Sequence, residues 1–108
     1  MKAETLKALQ GSIKKWQRIA RYPWMMDRGI TNCPLCAVFY PKWCDGCPVS
    51  AFTGRWYCNG SPYEAWRVHM TEQHPMQRHR ELGCKECLRL ARAELAFLVG
   101  LLPDKEKA

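Results

Sequence analysis

The sequence predicts a small, mainly α-helical domain with a cysteine-rich metal-knuckle loop inserted between its helices. Three observations carry that expectation. Apolar residues recur at three- and four-residue steps near both ends of the chain, Cys-x-x-Cys pairs gather in its middle, and the chain has only 108 residues. That length suits one domain spanning 1–108. A chain this short buries roughly 60–70% of its unfolded surface, so its core is thin. A full barrel or a doubly wound sheet does not fit.

The first helix is expected over 2–21, where Leu6, Leu9, Ile13, Trp16 and Ala20 share one face. Pro23 lies just beyond its end, and Gly11 and Ser12 weaken its middle without breaking the pattern. A connector over 22–31 follows, with Trp24, Met25 and Met26 expected to pack inward. The cysteine-rich loop covers 32–60 and has room for two or three short strands. Thr53-Gly54 reads as the turn of a hairpin that returns Cys58 toward the other cysteines.

Ser61-Pro62-Tyr63-Glu64 marks a helix start over 61–74. Ser61 and Glu64 can cap each other's amides, and Pro62 occupies the first helical position, where a missing N–H costs nothing. Pro75 begins a further segment that runs into a long helix, 76–102, continuous from position 80 onward. Cys84, Leu88, Ala91, Leu95, Leu98 and Leu102 mark its apolar face. Pro103 and Asp104-Lys105-Glu106-Lys107 end the fold. The first and last helices each carry one apolar stripe and are expected to pack on one another.

Cysteine accounts for 7 residues, an odd number that cannot pair completely within one chain. Cys33-Pro-Leu-Cys36 and Cys44-Asp-Gly-Cys47 are two Cys-x-x-Cys pairs, and Cys84-Lys-Glu-Cys87 is a third. Two residues between thiolates let one tight turn present both sulfurs to the same metal, and two such turns complete a tetrahedral zinc site. The default ligands are Cys33, Cys36, Cys44 and Cys47, with Cys58 able to replace Cys44. An iron–sulfur cluster would use the same cysteines, and Cys47-Pro48 resembles the end of a ferredoxin run, but the tight three-cysteine run is missing. Zn2+ is therefore the expected cofactor.

Cys84 and Cys87 read as two small core residues, the alternative being a second metal site built with Cys58 or a histidine. His69, His74 and His79 are spaced five apart, which puts them on different faces of any continuous helix and makes a poor metal triad.

Lys and Arg total 17 against 10 Asp and Glu, a formal net charge of +7. Such a surplus favours an anionic partner. Lys7, Lys14, Arg18 and Arg21 form one basic stripe on the first helix, and Arg78, Lys85, Arg89 and Arg92 form another on the last. Both read either as solvated faces or as phosphate contacts. Trp43, Trp56 and Tyr57, near Arg55, either pack around the metal loop or offer a stacking surface for bases.

Enzyme motifs are absent: there is no G-x-S-x-G, no H-E-x-x-H, no phosphate-cradling glycine loop and no H-x-E of a zinc deaminase. A closed four-sulfur site also leaves zinc no open position for water. No apolar run approaches the ~20 residues that span a bilayer, and no secretory signal is visible, so a cytoplasmic, non-membrane protein is expected.

The run Cys33-Pro-Leu-Cys36, Cys44-Asp-Gly-Cys47-Pro48, Thr53-Gly54, Cys58-Asn-Gly-Ser-Pro62-Tyr63 and Trp66 resembles a small family of phage and prophage proteins without an established activity. The likeness covers 33–66, about a third of the chain. It implies a metal-bound cysteine loop in which Cys58 takes part, a phage origin with a bacterial host cytoplasm as the location, and a regulator or an inhibitor of a host defence complex. The residues themselves favour a non-enzymatic, zinc-stabilised basic module that engages nucleic acid or a nucleoprotein complex. The alternatives are a protein-binding inhibitor and an iron–sulfur redox or sensor protein.

Overall fold

A computed structural model describes residues 1–77 and 83–107. It holds a small, mainly helical domain whose five α-helices are α1 (Ala3–Arg21), α2 (Pro34–Phe39), α3 (Pro48–Thr53), α4 (Pro62–Gln73) and α5 (Lys85–Gly100). No strand occurs among the described residues. The cysteine-rich stretch folds instead as α2 and α3, linked by short 3-10 turns. Pro34 and Pro48 each sit in the first helical turn, where their fixed φ favours helix and their missing N–H is not needed. Thr53-Gly54 does not turn a hairpin. Gly54, at φ +71, closes α3 by donating its N–H to the Ser50 carbonyl.

The core lies where α1 crosses α5 and α2, with α4 packed on α5. From α1 come Ala8, Leu9, Ile13, Trp16 and Ile19. Trp66 of α4 is fully buried and meets the Trp16 ring edge-to-face at 5.1 Å, while Tyr63 meets it at 5.8 Å. The weak middle of α1 has a packing role. A Cβ on Gly11 would stand 2.9 Å from Cγ of Pro34, so the missing side chain is what lets α2 rest on α1. The neighbouring Ser12 hydroxyl accepts the N–H of Leu35 at 3.3 Å.

Asp27 ties the connector to the core. Its Oδ1 accepts from Lys15 Nζ at 2.8 Å and from the Gly29 amide at 2.9 Å. Its Oδ2 accepts from Tyr63 Oη at 2.8 Å and Trp66 Nε1 at 3.1 Å. Burial pushes the Asp27 carboxyl upward, but Lys15 and these donors outweigh it and hold the group below the usual carboxylate range. Burial, and after it the same carboxylate, push the Tyr63 phenol up. Gln77 completes the anchor from the far side, accepting the Asp27 N–H at 2.8 Å and donating to the Asp27 carbonyl at 2.6 Å.

Four expectations need correction here. Trp24 and Met26 are exposed and only Met25 is half-buried, because Asp27 rather than the apolar residues anchors the connector. Trp24 lies on Tyr22 at the surface, ring centres 5.0 Å apart. Ser61 heads α4 without a side-chain cap, since its hydroxyl donates to the Cys58 carbonyl at 2.6 Å.

The segment 76–102 is not one helix. Met76 and Gln77 have φ +57 and +60, Gly83 has φ +89, and α5 starts only at Lys85. Its buried stripe is Cys87, Leu90, Ala91, Glu94 and Leu98, so Leu88 and Leu95 flank the contact rather than centre it. Arg78 and His79 lie outside the described residues.

Candidate metal centre

His69, His74, Cys84 and Cys87 form a metal-binding cluster at the junction of α4 and α5. Their ligand atoms all lie within 4.8 Å of one another. A small inward movement of the side chains closes that arrangement around one ion with bonds of about 2.0–2.3 Å. Two imidazoles and two thiols are a donor set that tetrahedral zinc accepts.

Two local features build it. His69 sits within α4, and α4 ends at Gln73. His74 then leaves the helix at φ −135, ψ 62, while its N–H still donates to the Met70 carbonyl. This bend carries the His74 ring back to the side of His69, the ring centres lying 5.1 Å apart. The five-residue spacing disfavours a shared face only while the helix continues, and here it stops.

On the other side Cys84 is the N-cap of α5. Its sulfur accepts the Cys87 amide at 3.3 Å and lies 3.4 Å from His69 Nε2. Burial raises the Cys84 thiol, but the Cys87 amide and the two imidazoles outweigh it and bring the group down to about 6. A thiol so placed ionises readily, as a metal ligand must. Cys84 and Cys87 are thus not simply core residues, and His69 is not a bystander.

The five cysteines of the middle segment lie elsewhere. Cys33, Cys36, Cys44, Cys47 and Cys58 all line one cavity of about 110 Å³, walled also by α1 and α5. Cys33 and Cys47 are the N-caps of α2 and α3. The Cys33 sulfur accepts the Cys36 amide at 3.3 Å and lies 3.8 Å from the Ser12 hydroxyl, whose oxygen is already occupied by Leu35 and whose proton is available to the sulfur. The Cys36 thiol is the main cause that brings Cys33 down to about 6; burial opposes it, and the Cys36 amide, Lys15 and Ser12 reinforce it. The same partnership pushes Cys36 up. Burial raises Cys47, and it raises Cys58 to about 12.

Cys44 and Cys58 reach the cavity through one device used twice. Trp43 and Cys44 have φ +57 and +63; Tyr57 and Cys58 have φ +58 and +64. Consecutive left-handed residues with side chains cost roughly 1–2 kcal/mol each. In both pairs the cysteine lines the cavity and the aromatic residue is the more exposed member. Trp43 and Trp56 are exposed rather than packed around the loop, while Tyr57 is exposed and also borders the cavity. Tyr57 lies 5.8 Å from Tyr40 and 6.4 Å from Trp56 between ring centres, with Lys42 and Arg55 exposed nearby in sequence.

Of the basic stripes, Lys7, Lys14, Arg18 and Arg21 are exposed on α1, and Lys85, Arg89 and Arg92 on α5. Arg89 is chelated by Glu86, one turn earlier. Lys15, outside either stripe, is withdrawn into its pair with Asp27. No helix among the described residues is long and apolar enough to cross a membrane.

These features define a small helical domain with a His2Cys2 cluster able to hold a metal ion. The chain matches no family model, no curated protein and no solved structure.

Proposed function

We propose that the protein is a non-enzymatic, zinc-stabilised module that binds nucleic acid, alone or within a nucleoprotein complex. Zinc suits the cluster of His69, His74, Cys84 and Cys87 because four protein ligands close its coordination shell, which serves structure rather than hydrolysis. The observation that carries the partner is the surface over the cysteine loops. Tyr40, Trp43, Trp56 and Tyr57 are all exposed there beside Lys42 and Arg55. Exposed aromatic rings stack on bases at about 1–3 kcal/mol each, and the cations track phosphates. The α1 stripe of Lys7, Lys14, Arg18 and Arg21 adds to that charge.

The test is titration of fluorescently labelled single-stranded DNA and RNA at several salt concentrations. Binding should weaken steeply with salt, and Trp43→Ala with Trp56→Ala should weaken it at every salt concentration. No affinity at low salt overturns the reading.

A second reading, a protein-binding inhibitor, is favoured by Phe52. It is 71% exposed and meets the half-buried Phe97 edge-to-face at 5.4 Å, giving an exposed aromatic contact. Salt-insensitive capture of a host protein that Phe52→Asp abolishes would establish it. The resemblance of 33–66 to phage and prophage proteins fits either reading and a bacterial host cytoplasm, where thiols stay reduced.

A further inference from the structure

Glu94 is the one residue of the α5 core stripe that hydrophobic packing does not account for. It is 4% exposed, and among the described residues its Oε1 is the buried side-chain oxygen or nitrogen without a hydrogen-bond partner. Leaving such an atom unsatisfied costs free energy that a Leu or Ala at the same place would avoid. Glu94 also lines the cavity that Cys33, Cys36, Cys44, Cys47 and Cys58 face. A carboxyl oxygen with nothing to accept from and five thiols therefore line one cavity.

We infer that this cavity is a second zinc centre, distinct from the His2Cys2 cluster, in which Glu94 supplies an oxygen ligand beside cysteine thiolates. The inference does not rest on the nucleic-acid reading. Three considerations carry it. Zinc accepts sulfur and oxygen donors together, whereas an iron–sulfur cluster is held by thiolates, so the mixed wall favours zinc. One donor is oriented in advance: the Cys33 sulfur accepts the Cys36 amide and faces the Ser12 hydroxyl, which holds it in place before an ion arrives. Lys15 also lines the cavity, but its ammonium is paired with Asp27 at 2.8 Å rather than with Glu94.

The left-handed pairs at Trp43-Cys44 and Tyr57-Cys58 fit the same account. Strained backbone of this kind persists where its surroundings over-determine it, and a bound ion gripping both loops does that.

The experiment is elemental analysis of the full chain purified under reducing conditions, with variants that separate the two centres. The wild type should carry two zinc ions per chain. Cys87→Ser should retain one, and Cys36→Ser should retain one. Glu94→Gln keeps the volume and the polarity while weakening the ligand, so it should lose one of its two zinc ions to a chelator roughly 10–100-fold faster than the wild type. Glu94→Leu should purify with one.

Cobalt substitution gives an independent readout. The absorption bands of the cavity site should shift in Glu94→Gln while those of the His2Cys2 site stay. A single zinc per wild-type chain, lost in Cys87→Ser, overturns the second centre. Acid-labile sulfide with a brown colour overturns its assignment to zinc. Two zinc ions in Glu94→Leu, with unchanged chelator resistance and unchanged cobalt bands, overturns the role of Glu94. None of these outcomes depends on whether nucleic acid binds.

Discussion

Cys33 and Cys84 do the same thing at the heads of two different helices. Each is an N-cap in extended conformation, each is followed by x-x-Cys, and each sulfur accepts the amide three residues on at 3.3 Å. The thiol replaces the hydroxyl or carboxylate that ordinarily caps a helix, and a helix N-terminus favours its ionised form. A Cys-x-x-Cys at a helix start is thus a capping device and a chelating device at once. Serine at either position should keep the cap and lose the metal.

The His2Cys2 cluster should dominate stability at the α4–α5 junction. Structural zinc contributes on the order of 10 kcal/mol in small domains. His74→Ala and Cys87→Ser should each lower the melting temperature sharply and lose the ion, because each leaves one ligand missing. Chelator added to the wild type should reproduce the loss. Calorimetric melts with and without chelator check this, and a melting temperature that ignores the chelator would contradict it.

Gly11→Ala sets two effects against each other. Alanine gains about 1 kcal/mol of helix propensity. Its Cβ would meet the Pro34 ring at 2.9–3.0 Å, a contact that must be relieved by moving α2. Overpacking of this kind costs roughly 1–3 kcal/mol. The substitution should therefore be neutral to destabilising by about 2 kcal/mol in urea unfolding, and it should disturb the thiol environment, since Cys33 begins α2.

The Lys15–Asp27 pair should show in the acid limb of stability. Asp27 is held below its ordinary value of 3.8 in the folded protein, so it contributes stability above that value and loses it as pH falls through the folded value. The difference in unfolding free energy between the wild type and Asp27→Asn should be constant from about pH 5 to 7 and shrink below about pH 4. Comparing the two proteins cancels the metal contribution that both share. Lys15→Met should cost more at neutral pH, roughly 3–5 kcal/mol, because it strands the buried carboxylate.

If the basic surfaces contact phosphate, neighbouring arginines on α5 should differ. Arg89 already holds Glu86, whereas Arg92 is exposed with no ion pair among the described residues. Arg92→Glu should weaken binding more than Arg89→Glu. Lys14→Glu with Arg18→Glu should flatten the slope of log affinity against log salt by about one unit for each phosphate that is no longer neutralised. Equal effects from Arg89 and Arg92 would assign the charge to a diffuse field.

The parts of this fold that rest on short-range pattern were legible in the residues. The stripe of Leu9, Ile13 and Trp16 follows from helical spacing, and Pro62 marks the start of α4. The gathering of the middle cysteines follows from their spacing. The His2Cys2 cluster was legible only as the alternative that paired Cys84 and Cys87 with a histidine, because it depends on the path of His74 beyond the end of α4 and on Gly83 turning left-handed before Cys84. Both events lie in tertiary structure, and an assumed continuous helix scatters the same four ligands. Asp27 was equally hidden: its four donors come from three separated segments that only the folded chain assembles. Nothing in the sequence singles out Glu94, and its burial shows only in the fold.

Trp43 adjoins Cys44, and Tyr57 adjoins Cys58; both sulfurs line the cavity, Trp43 faces solvent, and Tyr57 stands at the cavity's edge, partly in solvent. A ring cannot reorient through its backbone without carrying the neighbouring sulfur with it. The interior and the outer surface are thereby geared together. Whatever grips the sulfurs orders the rings, and whatever clasps the rings resists escape from the interior. Linkage makes the two effects equal: a partner that binds the filled protein more tightly by some factor must raise the affinity for the interior occupant by the same factor.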